Sequence, residues 1–183
     1  MNHHVALVAG LALLTSAASA ADQDIYDLRG YYGIPPDYEV TDSGRDDIDG
    51  GHRLGVQHMR NFTEIGDVGG WIWGAEASLS FVDDQGVEAF IPAITGLVGY
   101  AYQLQNLENL HFEGTPYLGV GLASIDGTGD DSELYLEYGL RVASFWTFES
   151  NWQAGIDLRL HRADADVIDS SGLLACFVGG YRF

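Results

Sequence analysis

The sequence predicts an all-β protein, an antiparallel up-and-down β-barrel of eight strands that crosses a membrane. Three observations support this fold class. Apolar residues recur at every second position in long segments, the turns alternate between an aromatic and an acidic kind, and the charged residues of the segments fall on one face. A period of two is typical of strands whose two faces meet different surroundings.

The first residues of the chain have the pattern of a secretory signal peptide. The apolar run at 5–14 has the length of a signal-peptide core, and the small residues at 18–20 match a cleavage site. The run is shorter than the ~20 apolar residues of a spanning helix. We therefore expect a signal peptide at 1–20 and an outer-membrane barrel at 21–183, whose segment 21–50 holds the first strand and an acidic loop.

Composition excludes several classes of function. The chain has 27 acidic residues against 8 basic ones, all of them arginine, for a formal charge of −19. This balance argues against nucleic acid as a partner and against binding to an anionic surface through a basic patch. The lone cysteine, Cys176, allows no internal disulfide. We find no motif for a cofactor or a metal ion, and expect none of either.

The strands follow from the alternation, taken in chain order. Each is about ten residues or longer, which is enough for a tilted spanning strand of ~9–11 residues. Because of Pro35 and Pro36, the sequence does not define the exact bounds of the first strand. The predicted strands lie within 25–41 and at 52–62, 70–82, 88–102, 111–125, 132–146, 151–161 and 172–183.

The turns between these strands are of two kinds that alternate along the chain. Up-and-down topology puts alternate turns at opposite ends, so one rim of the barrel should be aromatic and the other acidic. A girdle of aromatic side chains is what a membrane interface favours. The predicted girdle consists of Phe62, Trp71, Trp73, Tyr100, Tyr102, Trp146 and Trp152. The acidic rim carries Asp42, Asp46, Asp47, Asp49, Asp83, Asp84, Asp126, Asp130, Asp131, Asp164, Asp166 and Asp169.

The charged residues of the strands predict which face points inward. A soluble barrel of the lipocalin kind would keep an apolar interior and a charged exterior. Here one face is nearly free of charge along whole strands, which no soluble surface is, while the other mixes both signs. An arginine facing lipid near the bilayer midplane would cost about 2–4 kcal/mol. The mixed face should therefore line the lumen.

We predict an ion-pair network inside the barrel. Its members are Glu76, Glu137, Arg141, Asp157, Arg159 and His161. If the turn at 147–151 joins two strands in a symmetric hairpin, Arg141 lies opposite Asp157 and Glu137 lies opposite His161, with Arg159 diagonally between Glu137 and Arg141. Same-face neighbours on adjacent strands come within reach of one another.

The last strand carries apolar residues at alternate positions up to the final residue. Phe177, Tyr181 and Phe183 share its outward face. This pattern resembles the C-terminal β-signal of bacterial outer-membrane barrels, which implies recognition by the barrel-assembly machinery. The rest of the chain resembles small OmpA/OmpX-type eight-stranded barrels, and TPYLGVGLA at 115–123 is similar to a recurring strand of that group. The resemblance implies outer-membrane lipid and lipopolysaccharide as surroundings.

These features predict a structural or surface-interaction role. Eight strands enclose an interior just wide enough for side chains, so general porin activity is not expected, nor is enzymatic activity. The acidic rim predicts at most weak binding of divalent cations. The alternative is a PagL-type lipid A deacylase, a barrel that carries a His-x-Ser pair near the end of a late strand. His161 stands at a comparable place, but Ala163 replaces the nucleophile.

Overall fold

The structure, a computed structural model, describes residues 25–40, 45–48, 51–61, 69–84, 87–104, 106–126, 131–164 and 168–183. The predicted signal peptide at 1–20 and Phe62 of the predicted girdle lie outside these ranges. Within them, the chain has no helix of the length and apolar character needed to span a membrane.

Eight long strands close into one antiparallel barrel, as predicted. Each pairs with the next along the barrel wall, and the last pairs with the first over eight residue pairs, from Asp27 opposite Arg182 to Ile34 opposite Ala175. The alternating turns therefore lie at opposite ends. The barrel strands are β1 (Tyr26–Ile34), β4 (His52–Asn61), β5 (Gly70–Asp84), β6 (Val87–Leu104), β7 (Leu107–Asp126), β8 (Asp131–Thr147), β9 (Trp152–Asp164) and β10 (Ile168–Arg182).

Two short strands add a hairpin that the sequence did not predict. They are β2 (Tyr38–Val40) and β3 (Arg45–Ile48). The strand β10 is longer than β1, so its first residues extend past the end of β1 at the acidic rim. There Ile168–Ser170 pair with β2 instead, and β2 pairs with β3. Strands this short and polar carry no readable alternation, and Pro35 and Pro36 separate them from β1.

The two faces of the wall differ as the charge pattern predicts. Large apolar side chains stand exposed on the outside, such as Phe177 at 72% and Leu134 at 70% exposure. On the inside, the side chains of Glu76 and Arg141 are fully buried. The molecule is therefore apolar outside and charged inside, the reverse of a soluble barrel.

Glycines on the inward face make room for the large inward side chains of neighbouring strands. Tyr117 lies directly opposite Gly139, where an added Cβ would stand 2.6 Å from the Tyr117 hydroxyl oxygen. The ring of Tyr31 covers Gly55 on the next strand in the same way. The pairs Tyr135 with Gly121 and Phe145 with Gly155 repeat this arrangement. Bulky inward residues therefore face glycines on the neighbouring strands.

Candidate functional site

Inward-facing charged side chains form one continuous series of ion pairs along the barrel, in which arginines and carboxylates alternate. We call this series the lumen chain. From the aromatic rim inward, its members are Arg182, Asp27, Arg29, Glu113, Arg141, Asp157, Arg159, Glu76, Arg53 and Glu137. All of them except Arg182 are buried.

The half of the lumen chain nearer the aromatic rim is organised around Arg29. Its Nη1 and Nη2 donate to both oxygens of Glu113, at 2.8 and 2.6 Å. Its Nη2 also donates to Asp27 Oδ2 at 2.5 Å, and its guanidinium carbon lies 4.0 Å from the ring centre of Phe145. Asp27 in turn accepts hydrogen bonds from Arg182 at 2.8 and 3.0 Å, across the seam between β1 and β10.

The other half is organised around two carboxylates. Asp157 accepts from Arg141 Nε at 2.6 Å and from Arg159 Nη2 at 3.0 Å. Glu76 accepts from Arg159 Nη1 at 2.8 Å and lies 3.6 Å from Arg53 Nη2. Arg53 then binds both oxygens of Glu137, at 3.0 and 2.9 Å. Bidentate pairs of this kind are the strong form of charged hydrogen bond.

The lumen chain is electrically neutral, because five arginines alternate with five carboxylates. Neutrality matters because an unpaired charge away from water is costly. The sequence carries a formal charge of −19, so the entire negative excess belongs to residues outside the lumen chain.

The predicted register of the β8–β9 hairpin is wrong. Arg141 lies opposite Arg159, and Asp157 lies opposite Ala143, so the contact between Arg141 and Asp157 is diagonal. Glu137 lies opposite Ala163 rather than His161. The cause is the turn, which is not symmetric about residue 149.

The turn itself explains this shift. The amide of Phe148 donates to the carbonyl of Trp152 at 2.8 Å, which encloses a three-residue loop. The last loop residue, Asn151, has a φ of 63°. A turn that ends in a left-handed residue is common in three-residue hairpins, and asparagine adopts this conformation readily.

Five members of the lumen chain were absent from the predicted network. Arg182 ends the last strand, Asp27 and Arg29 lie on the first strand, whose bounds the sequence does not define, and Arg53 and Glu113 lie at inward positions of predicted strands. Arg53 and Glu113 alternate along their strands with residues of the apolar face, and this alternation could have identified both as facing inward. Of the predicted network, His161 belongs to no ion pair recorded among the described residues; its Nδ1 is 2.9 Å from the hydroxyl of Tyr117.

The described aromatic residues of the predicted girdle stand at one rim. They are exposed and face outward: Trp71, Trp73, Tyr100, Tyr102, Trp146 and Trp152. Trp71 and Tyr100 meet edge to face with ring centres 5.7 Å apart. At this rim the strand end carrying Tyr181 and Phe183 is secured by a hydrogen bond from the Phe183 amide to the Tyr26 carbonyl at 2.8 Å.

The acidic rim is described only in part. Asp164 accepts hydrogen bonds from Arg162 Nε at 2.8 Å and from the Tyr138 hydroxyl at 2.7 Å. The bond from Arg162 is the main reason why the pKa of Asp164 lies below its usual value, and that from Tyr138 adds to it. Arg162 faces outward, so the apolar band on this strand ends at Leu160.

Three potential metal ligands meet inside the barrel near the aromatic rim. Asp27, His111 and Glu113 place one ligand atom each within 4.8 Å of one another. However, Nη2 of Arg29 lies between the two carboxylates, at 2.5 and 2.6 Å from their oxygens. A guanidinium already supplies the positive charge there, and Asp27 and Glu113 are its partners in the lumen chain.

Among the described residues, the His161 ring has a tyrosine as its hydrogen-bond partner. His161 lines a surface pocket of 490 Å³ together with Tyr117, Arg162 and Ser171. Ser170, which lies opposite Ala163, donates its hydroxyl to the Asp37 carbonyl at 2.9 Å. The recorded partner of the His161 ring among the described residues is a tyrosine hydroxyl, not a serine.

Comparison with known proteins shows the fold. No protein-family model matches the chain, and no curated protein matches it by sequence. Among solved structures, the attachment invasion locus protein Ail of Yersinia pestis matches with a TM-score of 0.55 at 12% identity, over 89% of this chain and 100% of Ail. Ail has also been crystallised with the heparin analogue sucrose octasulfate.

Two further structures give the same result. Neisserial surface protein A matches with a TM-score of 0.60 at 10% identity, over 90% of this chain and 98% of that one. A major outer membrane protein of Thermus thermophilus matches with a TM-score of 0.54 at 9% identity, over 88% of this chain and 100% of that one. The chain therefore has the fold of the small eight-stranded outer-membrane barrels of the OmpA/OmpX type.

Proposed function

We propose that the chain is an integral protein of the bacterial outer membrane with a structural or surface-interaction role. The observation that carries this proposal is the inverted polarity of the wall. Exposed apolar side chains such as Leu118, Ile156 and Phe177 cover the outside, while nine members of the lumen chain are buried inside. Lipid is the surrounding in which such a surface is stable.

The buried inward side chains support the proposal that the barrel is not a general porin. Arginine side chains from β1, β4, β8 and β9 reach carboxylates on other strands, and Arg29, Arg53, Arg141 and Arg159 are at most 2% exposed. Large inward rings such as Tyr31 and Phe145 occupy further space. An eight-stranded barrel has little more room than this.

Reconstitution into liposomes tests the absence of a pore. We expect the folded protein to cause no sugar uptake above that of protein-free liposomes, while a general porin at the same protein-to-lipid ratio causes rapid swelling. Swelling comparable to that of the porin would contradict the proposal of a sealed lumen.

The lipid A deacylase alternative is not favoured, because Ala163 lacks a hydroxyl and His161 is directed to Tyr117. We therefore expect lipid A from cells that express the protein to keep its full set of acyl chains in mass spectrometry. Loss of one acyl chain would overturn this expectation and direct attention to Ser170 or Ser171.

The proposed partners are the assembly machinery, outer-membrane lipid and lipopolysaccharide. The acidic rim and the phosphates of lipopolysaccharide are both negative, so their contact needs divalent cations between them. We expect a chelator to lower the association of the protein with lipopolysaccharide; unchanged association would contradict cation bridging. A polyanion such as the heparin analogue bound by Ail does not suit an acidic rim.

A further inference from the structure

One arginine stands among the outward-facing aromatic side chains of the aromatic rim. Arg60 on β4 lies directly between Tyr26 on β1 and Trp73 on β5. Its guanidinium carbon is 5.5 Å from the ring centre of Tyr26 and 5.8 Å from that of Trp73. His58, the next outward residue of β4, stacks on Tyr26 with ring centres 5.4 Å apart and planes 13° apart.

The position of Arg60 determines what it meets outside the protein. Arg162 is the other outward-facing arginine among the described side chains, and it lies at the opposite rim, paired with Asp164. An arginine facing lipid costs about 2–4 kcal/mol at the midplane but only about 0–1 kcal/mol near an interface. In the proposed membrane orientation Arg60 lies in the headgroup layer, where phosphate is the prevailing anion.

The outer wall next to Trp73 carries small side chains. Toward the middle of the barrel, the outward residues of β5 after Trp73 are Ala75 and Ala77, and Ala75 lies opposite Gly96 on β6. Ala77 lies between Val56 and Ile94, which are 47% and 51% exposed. Ala75 lies between His58 and Gly96, so the small residues form a shallow floor that begins one outward position beyond Trp73, the residue opposite Arg60.

We propose that Arg60, Tyr26 and Trp73 bind the phosphodiester of a membrane phospholipid, one acyl chain of which lies on Ala75 and Gly96. The guanidinium is a planar fork that matches two phosphate oxygens, and the two rings keep it at the interface. The proposal rests on the proposed membrane insertion. It adds a specific lipid to what the barrel contacts.

Native mass spectrometry of the folded protein in a non-ionic detergent tests the headgroup site. With added phosphatidylglycerol, we expect Arg60→Gln to lower the apparent lipid affinity about tenfold, as for loss of a hydrogen bond to a charged group. Arg162→Gln is the matched control and should bind like the wild type. Equal binding by Arg60→Gln and the wild type, or equal losses in both variants, would overturn the proposal.

A second pair of variants tests the contact of the acyl chain with this floor. A Cβ added at Gly96 comes no closer than 3.8 Å to its nearest neighbour, and at Gly114 it meets nothing within 4 Å. Both positions face outward, so Gly96→Leu and Gly114→Leu should fold. We expect only Gly96→Leu to weaken phosphatidylglycerol binding. Equal effects of the two variants would exclude this contact.

Two measurements separate the possible outcomes. Glycerol phosphate, which has no acyl chains, should not compete with phosphatidylglycerol; effective competition would mean a site for free phosphate and would overturn the lipid assignment. Heat-dependent migration on gels reports the folded barrel in the same samples. If the wild-type protein shows the heat-dependent shift but retains no lipid, the lipid site alone is contradicted. If the shift is absent, the proposed function itself is contradicted.

Discussion

Glu76 is the carboxylate with the most varied set of partners in the lumen chain. Its oxygens accept from Arg159 at 2.8 Å, from Gln57 at 3.0 Å and from the hydroxyl of Tyr31, and Arg53 lies 3.6 Å away. A buried carboxylate is tolerated when its lost hydration is replaced by such partners. When the carboxylate is removed, the positively charged partners lose their counter-charge, which destabilises the folded barrel.

We expect Glu76→Gln to lower the free energy of unfolding by about 3–5 kcal/mol, because Arg53 and Arg159 then face each other without the intervening negative charge. Urea unfolding of the protein in lipid vesicles, followed by tryptophan fluorescence, measures this loss. Glu88→Gln is the control, since Glu88 is exposed on the outer face at the acidic rim, and should stay within about 0.5 kcal/mol. Equal stabilities of the two variants would show that Glu76 is not part of a buried ion-pair series.

Gly139 is the residue at which the packing of rings against glycines is tested most simply. An added Cβ there would meet the carbonyl oxygen of Leu160 and lie 2.6 Å from the Tyr117 hydroxyl oxygen. We expect Gly139→Ala to destabilise the barrel by about 1–3 kcal/mol in the same unfolding measurement. Gly114→Ala, whose Cβ meets nothing within 4 Å, should not destabilise it. The opposite order of stabilities would mean that Tyr117 does not pack on Gly139.

At the scale of the elements, the strands were predictable and their register was not. Alternation identifies a strand and its two faces, but register depends on the conformation of the turn. In the β8–β9 hairpin the left-handed Asn151 moves the centre of the turn by one residue and changes every opposite pair. The β2–β3 hairpin was not predicted because its short strands show no period of two.

The β8–β9 hairpin nevertheless brings Arg141 into contact with Asp157, at 2.6 Å. We expect Arg141→Ala to destabilise the barrel more in the wild type than in the Asp157→Ala background, with a coupling of about 0.5–3 kcal/mol. Arg141 and Glu137 are the control pair, because they lie on one strand and bind different partners. Simple additivity for Arg141 and Asp157 would show that the two side chains do not meet.

We propose that the last strand combines a structural and an assembly role. The amide of Phe183 donates one hydrogen bond to β1, and its ring meets that of Tyr181 with centres 5.1 Å apart at the rim. Because these contacts are few and exposed, we expect deletion of Phe183 to reduce assembly in cells far more than it reduces stability after refolding. Immunoblots of outer membranes and urea unfolding measure the two effects. Normal membrane levels of the truncated protein would count against an assembly signal.

At the scale of the whole molecule, the separation of charge is the main organising feature. The paired charges of the lumen chain lie inside, the negative excess lies outside the lumen chain, and the wall between the two rims is apolar. The sequence predicted this arrangement because polarity alternates along each strand. It could not predict which arginine meets which carboxylate, since pairs such as Arg29 with Glu113 and Arg53 with Glu137 connect strands that are not neighbours.

The position of the tryptophans tests most directly whether the apolar wall faces lipid. The chain has four tryptophans, and all of them stand exposed on the outer face of the aromatic rim: Trp71, Trp73, Trp146 and Trp152. The measurement is the quenching of their fluorescence, after refolding into vesicles, by lipids brominated at different depths. We predict strong quenching by bromines near the headgroups and weaker quenching by bromines at the bilayer centre. Fluorescence insensitive to bromine at either depth would contradict a membrane-spanning barrel.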